Sequence, residues 1–258
     1  SIYSELKQDD IIINTYANSK FTPSPFTDAV IKQDANVIAF DDYKQGLEML
    51  TNDALQNKAK RTYSYFYLDE VDGTSHKFGP ESEEFMQSAT THLEDIMKIF
   101  VNRVEGKINN ALFVLMADHG QMAVDIDNPS YINQLVPNIE DYLHRSKAGR
   151  PLIPAGSARD MFLYAKNESR EELQNILNEK LAGKAEIIQT EQLLENNIFG
   201  LDAPTKDFLD RVGNLVIFPY EKQAVWWYEP EVFEINHVGM HGGLSIDEME
   251  IPLALLEL

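Results

Sequence analysis

The sequence contains no cysteine. That excludes a disulfide framework and any thiolate metal ligand, and it fits a reducing compartment. Basic residues are scarce: 22 Lys and Arg stand against 42 Asp and Glu, a formal net charge of −20 at pH 7. A nucleic-acid polymer is a poor partner for such a surface, because its backbone needs clustered Lys and Arg. A small phosphorylated substrate is not excluded, since bound cations reverse the sign of charge locally. No apolar run approaches the roughly 20 residues of a membrane-spanning helix. There is no internal repeat, no lipidation motif and no Pro/Gly/Ser linker. What is present is 43% hydrophobic and 25% charged residues over 258 positions, the composition of a globular chain with one substantial core.

Ser1 to Leu6 already reads as the body of a helix, with no initiator Met and no signal-like stretch before it. The expectation is an N-terminally truncated chain, 1–258 a single domain, in a cytoplasmic setting that an upstream signal peptide would overturn. Helix and strand patterns alternate along the chain, which predicts an α/β fold with a largely parallel central sheet flanked by helices. Ile11–Ile13 and Asn36–Phe40 read as strands, and Tyr43–Lys58 as a helix with Leu47, Leu50 and Leu55 inward. Thr62–Leu68 reads as a buried strand. After Gly79-Pro80 the positions Phe85, Ala89, Leu93, Met97, Phe100 and Val104 recur at helical spacing, predicting one helix from about Glu81 with Pro80 at its first position. Ala111–Met116 is an unbroken apolar run, as in a strand buried on both faces. Residues 155–220 read as a smaller embedded α/β elaboration. Ser245 to Glu248 has the form of a capping box, Pro252 stops that helix, and Leu253–Leu256 reads as a final strand.

Three clusters carry chemistry. Asp72-Gly73-Thr74-Ser75-His76 places a carboxylate and an imidazole on what reads as a loop after the Tyr-rich strand. Asp118-His119-Gly120 follows the apolar strand, and His241-Gly242-Gly243 precedes the last helix. Two of the three lie at the carboxyl ends of strands, where open α/β sheets bind ligands. Each also has a plain reading: an Asp-Gly turn with a solvated His76, a helix cap at Asp118, a tight loop at His241. Together they supply Asp and neutral His, the ligand set for zinc, with manganese or iron as substitutes. Elsewhere, His92 reads as a surface residue of the long helix, and His144 earns no role. His237, four residues before His241, is a weaker candidate. Trp226, Trp227 and Tyr228 read as packing, and Arg159 and Arg211 as structural.

The three clusters in this order resemble the type I phosphodiesterase/nucleotide pyrophosphatase family of the alkaline phosphatase superfamily. The matching text is Tyr67-Leu68-Asp69-Glu70-Val71-Asp72-Gly73-Thr74-Ser75-His76 with Gly79-Pro80, then Ala117-Asp118-His119-Gly120, then Gly239-Met240-His241-Gly242-Gly243-Leu244-Ser245. Glu248-Met249 and Ile251-Pro252-Leu253 are also similar. The resemblance implies an alkaline-phosphatase-like fold and two divalent metal ions, with Asp72, His76 and His241 holding one and Asp118 and His119 helping to hold the other. It further implies an Asp from an N-terminal strand and a Thr or Ser nucleophile, neither of which has a counterpart here; both are expected upstream. Thr22-Pro23-Ser24-Pro25 superficially resembles a nucleophile loop but falls after the helix and strand that should follow one. The expected function is metal-dependent hydrolysis of a phosphodiester or nucleotide pyrophosphate, two cations clamping the attacking and leaving oxygens. Alternatives are another superfamily activity (phosphomonoesterase, phosphonate hydrolase, sulfatase or phosphomutase) and a non-catalytic metal-binding module.

Overall fold

A computed structural model describes residues 2–31 and 33–258. The chain opens with helix α1 (Ile2–Gln8), strand β1 (Ile12–Asn18), α2 (Pro25–Val30), β2 (Asn36–Phe40), α3 (Tyr43–Gln56) and β3 (Thr62–Phe66). Helices α4 (Glu70–Phe78) and α5 (Glu83–Asp95) follow, then a π-helical stretch over Ile96–Val101, a last turn α6 (Asn102–Val104) and strand β4 (Leu112–Met116). Next come β5 (Met122–Ala123), β6 (Ser130–Tyr131), α7 (Ile132–Leu135), β7 (Ala155–Gly156), β8 (Met161–Leu163) and α8 (Arg170–Lys180). The remainder is β9 (Ala185–Gln189), α9 (Thr190–Glu195), α10 (Lys206–Val212), β10 (Leu215–Pro219), β11 (Val225–Trp226), β12 (Gly239–Met240), α11 (Ile246–Met249) and β13 (Leu253–Glu257). Ser1, read as part of the first helix, lies outside the described residues. No helix among the described residues is long and apolar enough to cross a membrane.

The chain divides into two compact units: Ser1–Thr74, Glu83–Met116 and Pro252–Leu258 form one, and Ser75–Ser82 with Ala117–Ile251 the other. The first is built on a parallel sheet in the order β2-β1-β3. Tyr16 of the central strand is fully buried, and Phe40, Leu47, Leu50, Phe100, Val101 and Val104 complete its core. Helix α3 starts at Asp42, whose carboxylate accepts from the amides of Lys44 and Gln45, two of the donors that a helix start leaves unpaired. Gly46 lets α3 approach the sheet, since a Cβ there would lie 2.6 Å from the Phe40 ring.

Four expectations, the surface placement of His92 among them, are corrected in this unit. Strand β4 forms where predicted but is not buried on both faces: Leu112, Val114 and Met116 are 60%, 45% and 61% exposed. Thr62–Phe66 is likewise mostly exposed. The reason is partnering: among the described residues β3 pairs with β1 alone and β4 with β13 alone. Phe66 and Phe113 pack on the core, and alternate residues of a strand point the other way. The helix after Pro80 begins at Glu83, three residues into the predicted span, and passes through the π-helical stretch. Leu93 and Met97 are exposed, whereas His92, Phe100, Val101 and Val104 are buried. His92 displaces Leu93 from the inner face because its ring has polar partners there. Nδ1 lies 2.7 Å from the Ser88 carbonyl, Nε2 lies 3.0 Å from Glu70, and the ring packs on Tyr43.

The second unit contains a four-stranded antiparallel sheet in the order β7-β8-β10-β9. Leu173, Leu177 and Leu181, along and just beyond α8, are fully buried in one cluster with Leu163, Ile187 and Leu215. Trp227 is buried in this cluster and Trp226 packs against it, as their reading as packing residues required. Two short ribbons, β11 with β6 and β12 with β5, complete the unit.

Candidate metal centre

The Asp72–His76 cluster is helical rather than a loop: all its residues belong to α4. Glu70 and Asp72 occupy its first turn and His76 and Lys77 its last, the charge order that the helix dipole favours. Gly73 donates to the Asp69 carbonyl and the Thr74 hydroxyl to the Glu70 carbonyl, both closing helical turns. Asp72 and His76 are therefore one turn apart, the spacing that places two side chains on one helix face.

The β5–β12 ribbon brings the other two clusters together. Met122 pairs with Met240 and Ala123 with Gly239, so His119, three residues before Met122, and His241, just after Met240, emerge at the same end. Their rings stack with centroids 3.6 Å apart and planes 14° from parallel. The end of α4 joins them: the Val238 amide donates to the His76 carbonyl, and the His76 ring lies 5.2 Å from that of His241. Gly239 permits this approach, because a Cβ there would lie 2.3 Å from the Ser75 carbonyl oxygen. His237 stands beside His76, with ring centroids 4.7 Å apart. Its position within this group was only weakly legible, from its four-residue offset from His241.

The tautomers fit a metal site. His76 Nδ1 lies 2.7 Å from the Gly239 carbonyl and His119 Nδ1 lies 2.9 Å from the Gly120 carbonyl. A carbonyl only accepts, so in the neutral rings Nδ1 carries the hydrogen and Nε2 keeps a lone pair. Metal-binding histidines are commonly held this way, by a carbonyl behind the ring. His119 Nε2 in turn lies 3.5 Å from the carboxylate of Asp118, itself 68% exposed; a cation between them satisfies both acceptors. His119 and His241 present ligand atoms within 4.8 Å of one another. Imidazole nitrogens with carboxylate oxygens form a donor set suited to a zinc-type ion.

The hydroxyls of the Asp72–His76 cluster and of the Thr22–Pro25 segment are engaged or enclosed. Thr74 is bonded along its own helix, as above, and the Ser75 hydroxyl is buried. Ser24 caps α2, accepting from the Thr27 amide, and Thr22 is buried. The predicted capping box at Ser245 is rearranged: the Ser245 hydroxyl donates to Glu248, and the Glu248 carboxylate turns inward to Arg159. Arg159 is structural, as its reading required. Arg211 is exposed, and its carbonyl accepts from Tyr164. His144 is exposed and follows a short 3-10 turn.

The profile of the type I phosphodiesterase / nucleotide pyrophosphatase family matches residues 6–244. The chain belongs to that family. Among curated members, a venom phosphodiesterase of Naja atra is 27% identical over 95 residues, which is 36% of this chain and 11% of that protein. Among solved structures, human ectonucleotide pyrophosphatase / phosphodiesterase 5 superposes with a TM-score of 0.71 at 10% identity, covering 98% of this chain and 62% of that one. Its murine counterpart, solved as an inactive threonine-to-alanine variant in complex with AMP, gives a TM-score of 0.66 at 13% identity and the same coverages. Phosphonoacetate hydrolase from Sinorhizobium meliloti 1021, in complex with phosphonoformate, gives 0.62 at 14% identity, covering 99% of this chain and 67% of that one. The fold is thus the alkaline-phosphatase-like α/β fold expected from the motifs. The chain spans less than two thirds of the ectonucleotide pyrophosphatase / phosphodiesterase structures it matches.

Proposed function

We propose that this chain is the metal-holding part of a hydrolase acting on phosphodiester or nucleotide pyrophosphate bonds of a small substrate. The observation that carries the reading is the meeting of the His76, His119 and His241 rings, whose centroids lie 5.2 Å (His76–His241) and 3.6 Å (His119–His241) apart. In this proposal Asp72, His76 and His241 hold one divalent ion, and Asp118 and His119 help to hold a second. Zinc is favoured by the imidazole-rich donor set, with manganese or iron as substitutes. Such ions, when bound, lower the pKa of an attacking hydroxyl or water and stabilise charge on the phosphoryl oxygens.

The chain's own residues orient and hold. The carbonyls of Gly239 and Gly120 fix the tautomers of His76 and His119, and the carboxylates of Asp72 and Asp118 supply the negative charge that two cations require. The nucleophile is assigned to a Thr or Ser outside these 258 residues; the hydrogen bonds of Ser24 and Thr74 and the burial of Thr22 and Ser75 support this. The likeness to an inactive threonine-to-alanine variant bound to AMP supports a nucleotide as the substrate class. The cysteine-free composition is the support for a cytoplasmic setting.

The test compares this chain with a longer natural polypeptide containing it, both saturated with zinc or manganese, on a nitrophenyl phosphodiester. The longer protein turns over and loses activity on chelation and in the Asp118→Ala variant, while the 258-residue chain is inactive. Equal rates would place the nucleophile inside this chain. The likeness to phosphonoacetate hydrolase favours one second reading, carbon–phosphorus hydrolysis; turnover of a phosphonate in preference to the diester would select it.

A further inference from the structure

Arg159 is 1% exposed and Glu248 is 2% exposed. The guanidinium donates to both carboxylate oxygens, from Nε at 2.9 Å and from Nη2 at 2.7 Å. Nη1 donates to the carbonyls of Tyr220 at 2.8 Å and Gln223 at 2.5 Å. A buried charge held by so many fixed partners has essentially one position. Glu248 passes that position on in two directions. Its carboxylate accepts from the Gly243 amide at 2.9 Å, two residues beyond His241. Its backbone carbonyl accepts from the Gly120 amide at 2.9 Å, directly after His119. A Cβ on Gly243 would lie 2.6 Å from the carboxylate, and one on Gly120 would lie 2.0 Å from the Asp247 carbonyl oxygen. Both histidine-bearing loops therefore close onto one residue.

We infer that the Arg159–Glu248 pair is a positioning device that sets the separation of His119 and His241, and through it the affinity of the site for its metal. The inference rests on the metal site proposed above. Replacing the pair by apolar residues of similar volume commonly preserves or raises stability, whereas loss of an outer partner of a metal site typically costs about 10–100-fold in affinity. The two effects can therefore be separated.

The variants are R159M/E248L, which removes the pair together, and R159K, which keeps both charges but loses the bidentate grip and serves if the double variant does not fold. Zinc affinity is measured by competition with a chromophoric chelator, melting is measured without metal, and amide exchange at Gly120 and Gly243 is followed in the metal-free protein. The expected result is a folded variant with zinc binding weakened about 10–100-fold and faster exchange at Gly243. Wild-type zinc affinity in a folded variant would overturn the inference. If the unaltered chain binds no zinc, the proposed function fails instead. The exchange data then decide the positioning of the His241 loop alone: faster exchange at Gly243 sustains it and unchanged exchange overturns it.

Discussion

Gly73 and Gly120 both lie within metal-site motifs, yet alanine has opposite expected effects at the two. A Cβ at Gly73 meets nothing within 4 Å, and the residue lies inside α4. Gly73→Ala is expected to stabilise the protein by about 0.5–1 kcal/mol, by restricting the unfolded chain and improving helix propensity. At Gly120 the added carbon meets backbone oxygen of Asp247 at 2.0 Å. That contact cannot be relieved by a side-chain rotation, so Gly120→Ala is expected to cost about 1–3 kcal/mol and to weaken zinc binding, read by urea unfolding and a zinc titration. Glu248 carries a pH dependence. Burial works against its ionised form, but Arg159, Ser245 and the Gly243 amide outweigh burial and hold the carboxyl below the usual glutamate value. A depressed folded value contributes stability that is complete above the unfolded value of about 4.3 and is lost as pH falls below it. Asp160 works the other way: burial raises its carboxyl, so its contribution declines as pH rises. The difference between wild type and E248Q in urea unfolding should therefore shrink below about pH 4, and a constant difference down to low pH would refute the role given to this charge.

Helices and strands differ in how much of their placement could be foreseen. Leu177 on α8 is fully buried, whereas Leu255 on β13 is 60% exposed. Leu177→Ala is expected to cost about 2–5 kcal/mol and Leu255→Ala less than about 1 kcal/mol, measured as shifts in the urea midpoint at constant slope. By apolar pattern alone the two leucines look alike. The apolar pattern located β2 and α3 and caught only the first residues of β1, whose buried positions also include Asn14, Thr15 and Asn18. It misplaced the exposure of β4, because a run of apolar residues reports what a strand could bury, while its neighbours decide what it does bury. It also missed the helical state of Asp72–His76: Asp-Gly is a turn signal, and the acids and the imidazole that complement the helix dipole carry no apolar period. The π-helical stretch after Asp95 shifted the buried face by one residue, which no spacing rule anticipates. The meeting of the His76, His119 and His241 rings was legible, because each lies in a short run of candidate ligand types.

The whole molecule carries a net charge of −20. Two expectations belong to that scale. Filter binding should detect no retention of duplex DNA at physiological salt, since too few cations are present to displace its counterions. If the proposed hydrolysis holds, turnover of an anionic diester with metal saturating should quicken as salt rises from about 0.02 to 0.2 M, because screening weakens the repulsion between substrate and surface. A rate that falls steeply over that range would point to a local cationic funnel. The buried ion pair of Arg159 and Glu248 joins residues 89 positions apart. Losing either partner alone strands a buried charge, at a cost of about 3–5 kcal/mol, which is a large part of the stability of an ordinary domain. Lineages that pass through a single loss should therefore be short-lived. Descendants of a common ancestor ought to keep both residues or to have exchanged both, so that two sites far apart in the gene carry one shared history.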